Sequence, residues 1–444
     1  MEIVIIGAGL TGLSAGFHLK DNYVVYEGSY KAGGLAGSYV KEGFIFDHAG
    51  VHVLRTTDNL LRGESKAYYD KFILDLLKND ISKKKKMAYI YLKGNYHLRP
   101  FQHNLHGASK EVIDKCVDGI NNIEQNPNAT DDYTKSKKTF ANFKEELLGI
   151  FGKGLCNYFM FPYNEKAWCY DLSKIKSKIW ISKNFGSIFD PIRFREGVLY
   201  PNEKDQKIIK YPKYGGFGGT GMTIYNKIEQ NVNLNSKITK IDLNSKEVEV
   251  NNSFKTKYKH LISTIPIPEL IKLIDDAPLE VKEAAQGINY SSMFSLNIGV
   301  DKEKISDMQY IYYPDRDVCF TRVSFPVNQA QSTAPKGKTG VCVEVPYSRF
   351  KPLDKNIVEM IMNDLIKVGV FKGNEKILFK DEEHVKYSYV VQDLNLEKNM
   401  KIMREFLLKH DIHSIGRYGE WKHSGTEHAI DDGRRIAQKL RFNG

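Results

Sequence analysis

No apolar run in the sequence approaches the roughly 18 residues that a membrane-crossing helix needs, so no bilayer span is expected. Cysteine is scarce. Cys116, Cys156, Cys169, Cys319 and Cys342 are odd in number, no two stand at metal-ligand spacing, and no CxxC occurs. That argues against a disulfide framework and against a metal site, and it fits a reducing compartment. No secretory signal is visible, because the first residues run straight into a strand and a glycine loop. The expectation is a cytoplasmic protein. Internal repeats and low-complexity tracts are also missing.

What is present bounds the answer further. The 444 residues, 41% of them hydrophobic, suit two or three domains rather than one simple core. Aromatics reach 12%, which suits a flat ligand and equally a β-rich core. The net charge of +11 is spread along the chain and draws phosphates. Residues 83–86 form a short basic block that reads as a solvated loop. Neither nucleic acid nor a membrane is therefore expected as a partner, and a small diphosphate-bearing substrate accounts for the positive charge equally well.

The strongest local signal is Gly7-Ala8-Gly9-Leu10-Thr11-Gly12. It follows a short apolar run, Ile3–Ile6, and opens a helix carrying Leu13, Phe17 and Leu19. Gly7 permits the tight turn, Gly9 lets the backbone approach a pyrophosphate, and Gly12 lets the helix sit close to the strand. The helix start at Leu10 and Thr11 offers free N–H groups to the anion. The next strand, residues 24–26, ends in Glu27, placed to accept ribose hydroxyls. A second flexible turn, Gly33-Gly34-Leu35-Ala36-Gly37, follows within a few residues and can wrap a FAD diphosphate near the flavin. FAD is the expected cofactor.

The fold expected is α/β: a Rossmann-type FAD-binding domain with an inserted helical subdomain and a mostly antiparallel substrate sheet. The FAD-binding segments are residues 1–98, 209–275 and 406–444, the helical insertion 99–208, and the sheet domain 276–405. Residues 88–98 read as a hairpin turning at Lys93-Gly94-Asn95. A helix-like stretch spans 139–148 and a polar break 126–134. Strands are expected at 237–242, Glu247–Val250, 261–264, 291–300, 309–313, 318–325 and 341–345, with a helix at 355–368.

The paired glycines resemble those of the flavoproteins that include amine oxidases, phytoene desaturases and protoporphyrinogen oxidases, although Lys31 stands where that group usually has Arg. Further segments resemble the UDP-galactopyranose mutases of the eukaryotic type. These are Gly50-Val51-His52-Val53, Arg99-Pro100-Phe101-Gln102-His103-Asn104, Pro162-Tyr163-Asn164-Glu165-Lys166-Ala167-Trp168, Phe320-Thr321-Arg322 and Gly416-Arg417-Tyr418-Gly419-Glu420-Trp421. Their order and spacing run over nearly the whole chain.

That resemblance implies an isomerase. In that family N5 of reduced FAD displaces the nucleoside diphosphate from the anomeric carbon, giving a flavin–sugar adduct through which pyranose and furanose forms interconvert without net oxidation. It implies catalytic roles for His52 beside the flavin and for Arg322 and Arg417 as clamps on the diphosphate, which guanidinium forks bind in a bidentate way. It places Phe101, Tyr163, Asn164, Trp168, Tyr310, Tyr389 and His423 around the substrate. It adds Gly50, Gly419, His428, Ala429 and Ile430 to the cofactor contacts, with the helix starting near residue 426 stabilising negative charge on the ring. NAD(P)H as reductant follows by analogy only, since no second fingerprint is present. The chain departs from the family at Val51, at Tyr91, where the eukaryotic type has Arg, and at His423, where it has Tyr. An oxidase or desaturase of an amine or apolar substrate, and a flavoprotein-like binding module, remain the alternatives.

Overall fold

The computed structural model describes residues 2–54, 64–78, 80–124, 140–177 and 189–442. The break expected at 126–134 lies outside them.

Five parallel strands form the first sheet, in the order Ile412–Ser414, His260–Ser263, Ile3–Ile6, Tyr23–Tyr26, Val232–Asn233. Its central strand is buried at every position, which is why its sequence is apolar without alternation. Ile3 and Ile5 face the helices Leu10–Leu19 and Thr426–Phe442. Val4 and Ile6 face a three-stranded antiparallel sheet and the helices Ile267–Lys272, Leu279–Gln286 and Leu396–Lys409. The chain thus returns twice, from its middle and from its end, to complete a sheet begun at its first residues.

The second sheet has seven strands, ordered Ile377–Val390, Tyr290–Val300, Thr339–Tyr347, Arg322–Ser324, Tyr310–Tyr312, Ala88–Leu92, Asn95–Leu98. All pairings are antiparallel except that of Tyr310–Tyr312 with Ala88–Leu92. The hairpin of residues 88–98 therefore pairs with this sheet and not with the dinucleotide strands. Its turn residues Lys93 and Gly94 have φ of 47° and 89°, the positive pair that a tight two-residue hairpin needs. Ile90 points into the core shared with the helical insertion, whereas Tyr89 and Tyr91 point into the core on the other face.

The insertion is built from Lys110–Glu124, Phe143–Leu155, Phe161–Trp168 and Pro191–Leu199. Asn142 caps Phe143–Leu155 by accepting from the Glu145 N–H at 3.0 Å, so the helix starts after residue 139. A π-turn at Cys156–Met160 offsets the next helix, whose face carries Tyr163 and Trp168.

Two expectations need correction, and one strand is new. Residues 83–85 lie in the strand Ile81–Lys85, paired with Ile208–Pro212, not in a loop; their lysines are exposed, so the charge hid the pairing. Only Arg322–Ser324 of the stretch 318–325 is strand, because Val318 and Phe320 enter the core from a loop. The longest strand, Ile377–Val390, was not expected. It is an edge strand whose central charges Lys380, Asp381, Glu382 and Glu383 mask its alternation.

Candidate active site

The two glycine turns are pressed together with no side chain between them. Gly33 donates its N–H to Ala8 O at 2.9 Å, and a Cβ on Gly34 would stand 3.1 Å from Gly9 Cα. A Cβ on Gly12 would strike Gly7 O at 1.9 Å, so the helix can approach the turn only with glycine there. Gly9 is the N-cap of Leu10–Leu19, and no side chain caps it. The N–H groups of the first turn have no intrahelical acceptor, so an anion is their natural partner. Glu27 accepts from Ala8 N at 2.7 Å and Ser29 N at 2.9 Å, which fixes its carboxylate at the end of the second strand. A carboxylate offers about four lone-pair positions, so ribose hydroxyls can still be accepted there. These residues fit the ADP half of a FAD: bare backbone for the pyrophosphate and a fixed acid for the ribose.

Around this cradle the other expected cofactor contacts divide. Leu35 and Ala36 lie in the short 3₁₀ turn Gly34–Ala36, beside Gly9. Thr11 is covered by Gly416, whose φ is 81°. The helix Thr426–Phe442 crosses Leu10–Leu19, with Ser14 Oγ donating to Ile430 O at 2.6 Å. Ile430 is itself in the core, so only its backbone faces anything polar. Ala429 is half-buried, and the Nδ1 of His428 accepts from Gly425 N at 3.2 Å. Buried Glu427 sits in the first turn of that helix and meets its positive end. Gly419 packs against Ser414 at the end of the outer strand.

His52 is held against the second glycine turn. Its Nε2 lies 3.1 Å from Leu35 O and 3.0 Å from His48 O, and its ring packs against Phe217. Both neighbours of Nε2 are acceptors, so the proton resides there and Nδ1 carries the lone pair. Burial lowers the His52 pKa, with Arg322 and Arg417 adding to the effect against the opposing pull of Asp47, so the ring is neutral near pH 7. Asp47 is sealed behind it, accepting from Ser38 Oγ, Phe217 N and Tyr211 OH.

Beside His52, one face of the seven-stranded sheet carries a row of polar side chains in direct cross-strand register: Tyr312, Arg322, Glu344, Ser295, Glu383. Arg322 grips Glu344 in a bidentate pair, Nε to Oε1 at 2.6 Å and Nη2 to Oε2 at 2.7 Å. Burial works against the Arg322 charge, but the adjacent Glu344 carboxylate holds its pKa well above the ordinary value. Glu344 is 1% exposed and also accepts from the Val51 N–H. Gly50 is where this loop touches the row, since a Cβ there would stand 2.1 Å from Glu344 Oε1. The row ends where Glu383 pairs with His48 Nδ1 at 2.5 Å.

The insertion and the C-terminal segment close over the row. Arg99 lies 4.9 Å from the centre of the Tyr312 ring, and Arg322 5.8 Å from it. Tyr163 stands edge-on to Tyr312 at 5.5 Å. Burial pushes the Tyr312 phenol up, but Arg99 and Arg322 outweigh it and leave its pKa below the usual value. Tyr389 touches Arg417 at 5.8 Å and Trp168 at 5.9 Å, and Trp168 packs on His423 at 4.8 Å. Arg417 donates to Ser388 O at 3.0 Å and to Ser424 O at 3.2 Å, while its Nε is buried without an acceptor. Burial, then Arg417, hold His423 at a pKa of about 3. Three guanidiniums thus converge on an aromatic basin in which Glu344 is the carboxylate that Arg322 holds.

Of the residues expected in the site, His52, Arg322, Arg417, Tyr163, Trp168, Tyr389 and His423 come together. Four others are placed around it. Phe101 is 0% exposed in the core of the insertion, packed on Phe159. Asn164 is buried behind Trp168, accepting from its Nε1 at 3.1 Å and donating to Met160 O at 2.6 Å, so it positions the indole. Gly50, expected at the cofactor, lies against the Glu344 carboxylate of the Arg322–Glu344 pair. Tyr310 is buried edge-on to Tyr312, at the margin of the basin. Sequence reasoning missed Arg99, Tyr312 and Glu344 as site residues. For Glu344 a signal existed, because one acid in the run Val341-Cys342-Val343-Glu344-Val345 must be paired when the strand is buried.

The model of the family described as flavin containing amine oxidoreductase matches residues 10–440. Among solved structures, a reduced UDP-galactopyranose mutase superimposes with a TM-score of 0.88 at 22% identity, covering 100% of this chain and 94% of that one. A putative protoporphyrinogen oxidase from Exiguobacterium sp. 255-15 does so at 0.74 and 14% identity, covering 100% and 99%. A putrescine oxidase bound to putrescine gives 0.65 and 13% identity, covering 99% of each. At these identities the likenesses establish the fold.

Proposed function

This chain belongs to the flavin containing amine oxidoreductase family, a flavoenzyme family that implies FAD, and from that premise we propose that it is a nucleotide-sugar mutase, interconverting UDP-galactopyranose and UDP-galactofuranose or a related pair. The observation that carries the reading is the convergence of Arg99, Arg322 and Arg417 on the aromatic basin beside His52. A nucleoside diphosphate needs cationic clamps both as bound group and as departing group.

When bound, reduced FAD supplies a nucleophilic nitrogen to the sugar. The chain's own residues do the rest. Arg417 offers its buried Nε and the edge of a guanidinium already braced on two carbonyls. Arg99 and Arg322 bring positive charge over Tyr312, and Tyr163, Trp168 and Tyr389 exclude water from the basin. His52, neutral with its proton on Nε2, presents Nδ1 as a hydrogen-bond acceptor. NAD(P)H would supply the reducing equivalents, a point tested by bleaching of the flavin absorbance under anaerobic conditions. Among the described residues no helix is long and apolar enough to cross a membrane, and the proposed setting is the cytoplasm.

The test is a product assay. FAD-loaded protein, with and without dithionite, is incubated with UDP-galactofuranose and a panel of other nucleotide sugars, and products are separated by anion exchange. Isomerisation in the reduced sample alone is expected. Failure of fully reduced, flavin-loaded protein on every sugar, with hydrogen peroxide formed from an amine instead, would move the assignment to an oxidase.

A further inference from the structure

A cavity of about 1000 Å³, apart from the basin, opens between the helices Ile267–Lys272 and Leu279–Gln286 and the strands Tyr290–Val300, Thr339–Tyr347 and Ile377–Val390. None of His52, Arg322, Arg417, Trp168 or Tyr389 lines it. Its size is at the upper end of small-ligand pockets. Two kinds of side chain line it. One is apolar and aromatic, with Ile271, Ile274, Ile288 and the rings of Tyr290, Tyr347 and Tyr387. The other is cationic, with Lys272, Lys282, Arg349 and Lys386.

The four cations are only partly neutralised by their surroundings. Lys272 and Lys386 share one acid, Glu269, at 3.2 and 2.6 Å. The one acid of the lining, Asp275, is taken from outside by Lys240 at 2.7 Å, while Lys282 donates to the Asp275 backbone carbonyl at 2.6 Å. Arg349 is anchored through Nη2 to Asn289 Oδ1 at 2.5 Å, which leaves the rest of its fork for an incoming group. Such a cavity asks for a ligand that carries both a flat ring and multiple negative charge.

We propose that this cavity is a binding site for a nucleoside phosphate, distinct from the basin at His52. Its base lies against the tyrosine rings and its phosphates meet Arg349 and Lys282. The cavity abuts the segment that holds Arg417 without overlapping it. Tyr290 and Tyr387 pack on Trp421 at 6.3 and 5.8 Å, and Tyr418 OH and Arg417 Nη2 both donate to Ser388 O.

The experiment is calorimetric titration of ADP into FAD-loaded protein, so that the ADP half of the cofactor site is already filled. Arg417→Ala holoenzyme is titrated in parallel, and adenosine and inorganic pyrophosphate serve as the two halves of the probe. The expected result is ADP binding that survives Arg417→Ala, weakens about tenfold or more in Arg349→Glu and in Lys282→Glu, and exceeds that of either half. Flavin content and melting temperature establish that both charge-reversal variants are folded. Three outcomes overturn the proposal. The first is no ADP binding at millimolar concentration. The second is binding lost in Arg417→Ala and untouched in Arg349→Glu, which assigns it to the basin. The third is pyrophosphate binding as tightly as ADP, which makes the lysines a general anion attractor and leaves the tyrosines no part.

Discussion

Gly50→Ala tests whether the His52 loop and the arginine row are one unit. Gly50 has a φ of +89°, which costs an L-residue about 1–2 kcal/mol. Its new Cβ would stand 2.1 Å from Glu344 Oε1 and 2.4 Å from Cδ, where ordinary contact begins near 3.4 Å. The carboxylate must therefore retreat by more than roughly 1 Å, which breaks contacts of 2.6 and 2.7 Å to Arg322. Uncoupling a buried pair costs about 3–5 kcal/mol. The two effects together amount to roughly 4–7 kcal/mol, a large share of a typical folding margin of about 5–15 kcal/mol. The assay is a double-mutant cycle on FAD-loaded protein, using thermal or urea unfolding, with Glu344→Ala as the second arm. In the Glu344→Ala background Gly50→Ala has no carboxylate to displace, so its cost should shrink to the backbone contribution, with a coupling of about 3 kcal/mol. An equal cost of Gly50→Ala in both backgrounds would refute the coupling and reduce Gly50 to a turn glycine.

Gly12→Ala should yield colourless protein, because the added Cβ meets Gly7 O at 1.9 Å and drives the helix off the pyrophosphate turn; flavin absorbance after reconstitution checks it. Arg417→Ala and Arg99→Ala should each weaken UDP binding to the holoenzyme by about 10- to 100-fold, as expected for lost charge-assisted contacts, whereas Tyr91→Phe, in the core on the opposite face, should leave it unchanged. The pH dependence of stability carries a sign. His423 is held at about 3 by burial and then Arg417, below its ordinary 6.5, so the unfolded chain binds more protons between those values. The stability is therefore full above pH 6.5 and is lost as pH falls toward 3, at up to about 1.4 kcal/mol per pH unit. His423→Gln should flatten that slope in urea unfolding between neutral and acid pH; an unchanged slope would show that His423 is not buried neutral.

The glycine cradle was legible in the sequence because its requirements are local. The turn, the helix start and the acid all lie within Gly7–Glu27 in numbers 7–27, and each residue type has a backbone reason to be there. The second sheet was legible in its apolar strands and in the hairpin of residues 88–98. Ile377–Val390 was missed because an edge strand can carry Lys380, Asp381, Glu382 and Glu383 in sequence, with only one neighbouring strand to satisfy. The basin was half legible. Arg322 and Arg417 were reached through resemblance, and both lie in it. That Arg322 stands between Tyr312 and Glu344 is a matter of strand register, which sets residues 10 and 22 positions apart side by side. No single-chain periodicity encodes that register. Arg99 arrives by the same route, on the hairpin that pairs with Tyr310–Tyr312.

The choice between mutase and amine oxidase turns on the sign of charge in the basin, since the fold serves both chemistries. Two unit charges about 6 Å apart, at an effective dielectric of about 20, interact by on the order of 2–3 kcal/mol. Each of Arg99, Arg322 and Arg417 contributes that much attraction to each unit of negative charge on a diphosphate, and that much repulsion to an ammonium. Glu344 cancels about one of the three for either ligand, and its pairing with Arg322 aims that cancellation away from the other two arginines. An alkylammonium substrate would thus meet a net penalty before any contact is made. A nucleoside diphosphate would gain by a similar amount and lose it again in high salt. Competition decides the matter. UDP should protect the holoenzyme against thermal unfolding at micromolar to millimolar concentration with a steep salt dependence, and putrescine should not. Protection by putrescine together with peroxide release would mean that the arginines face away from the reacting atoms, and the mutase reading would fall with them.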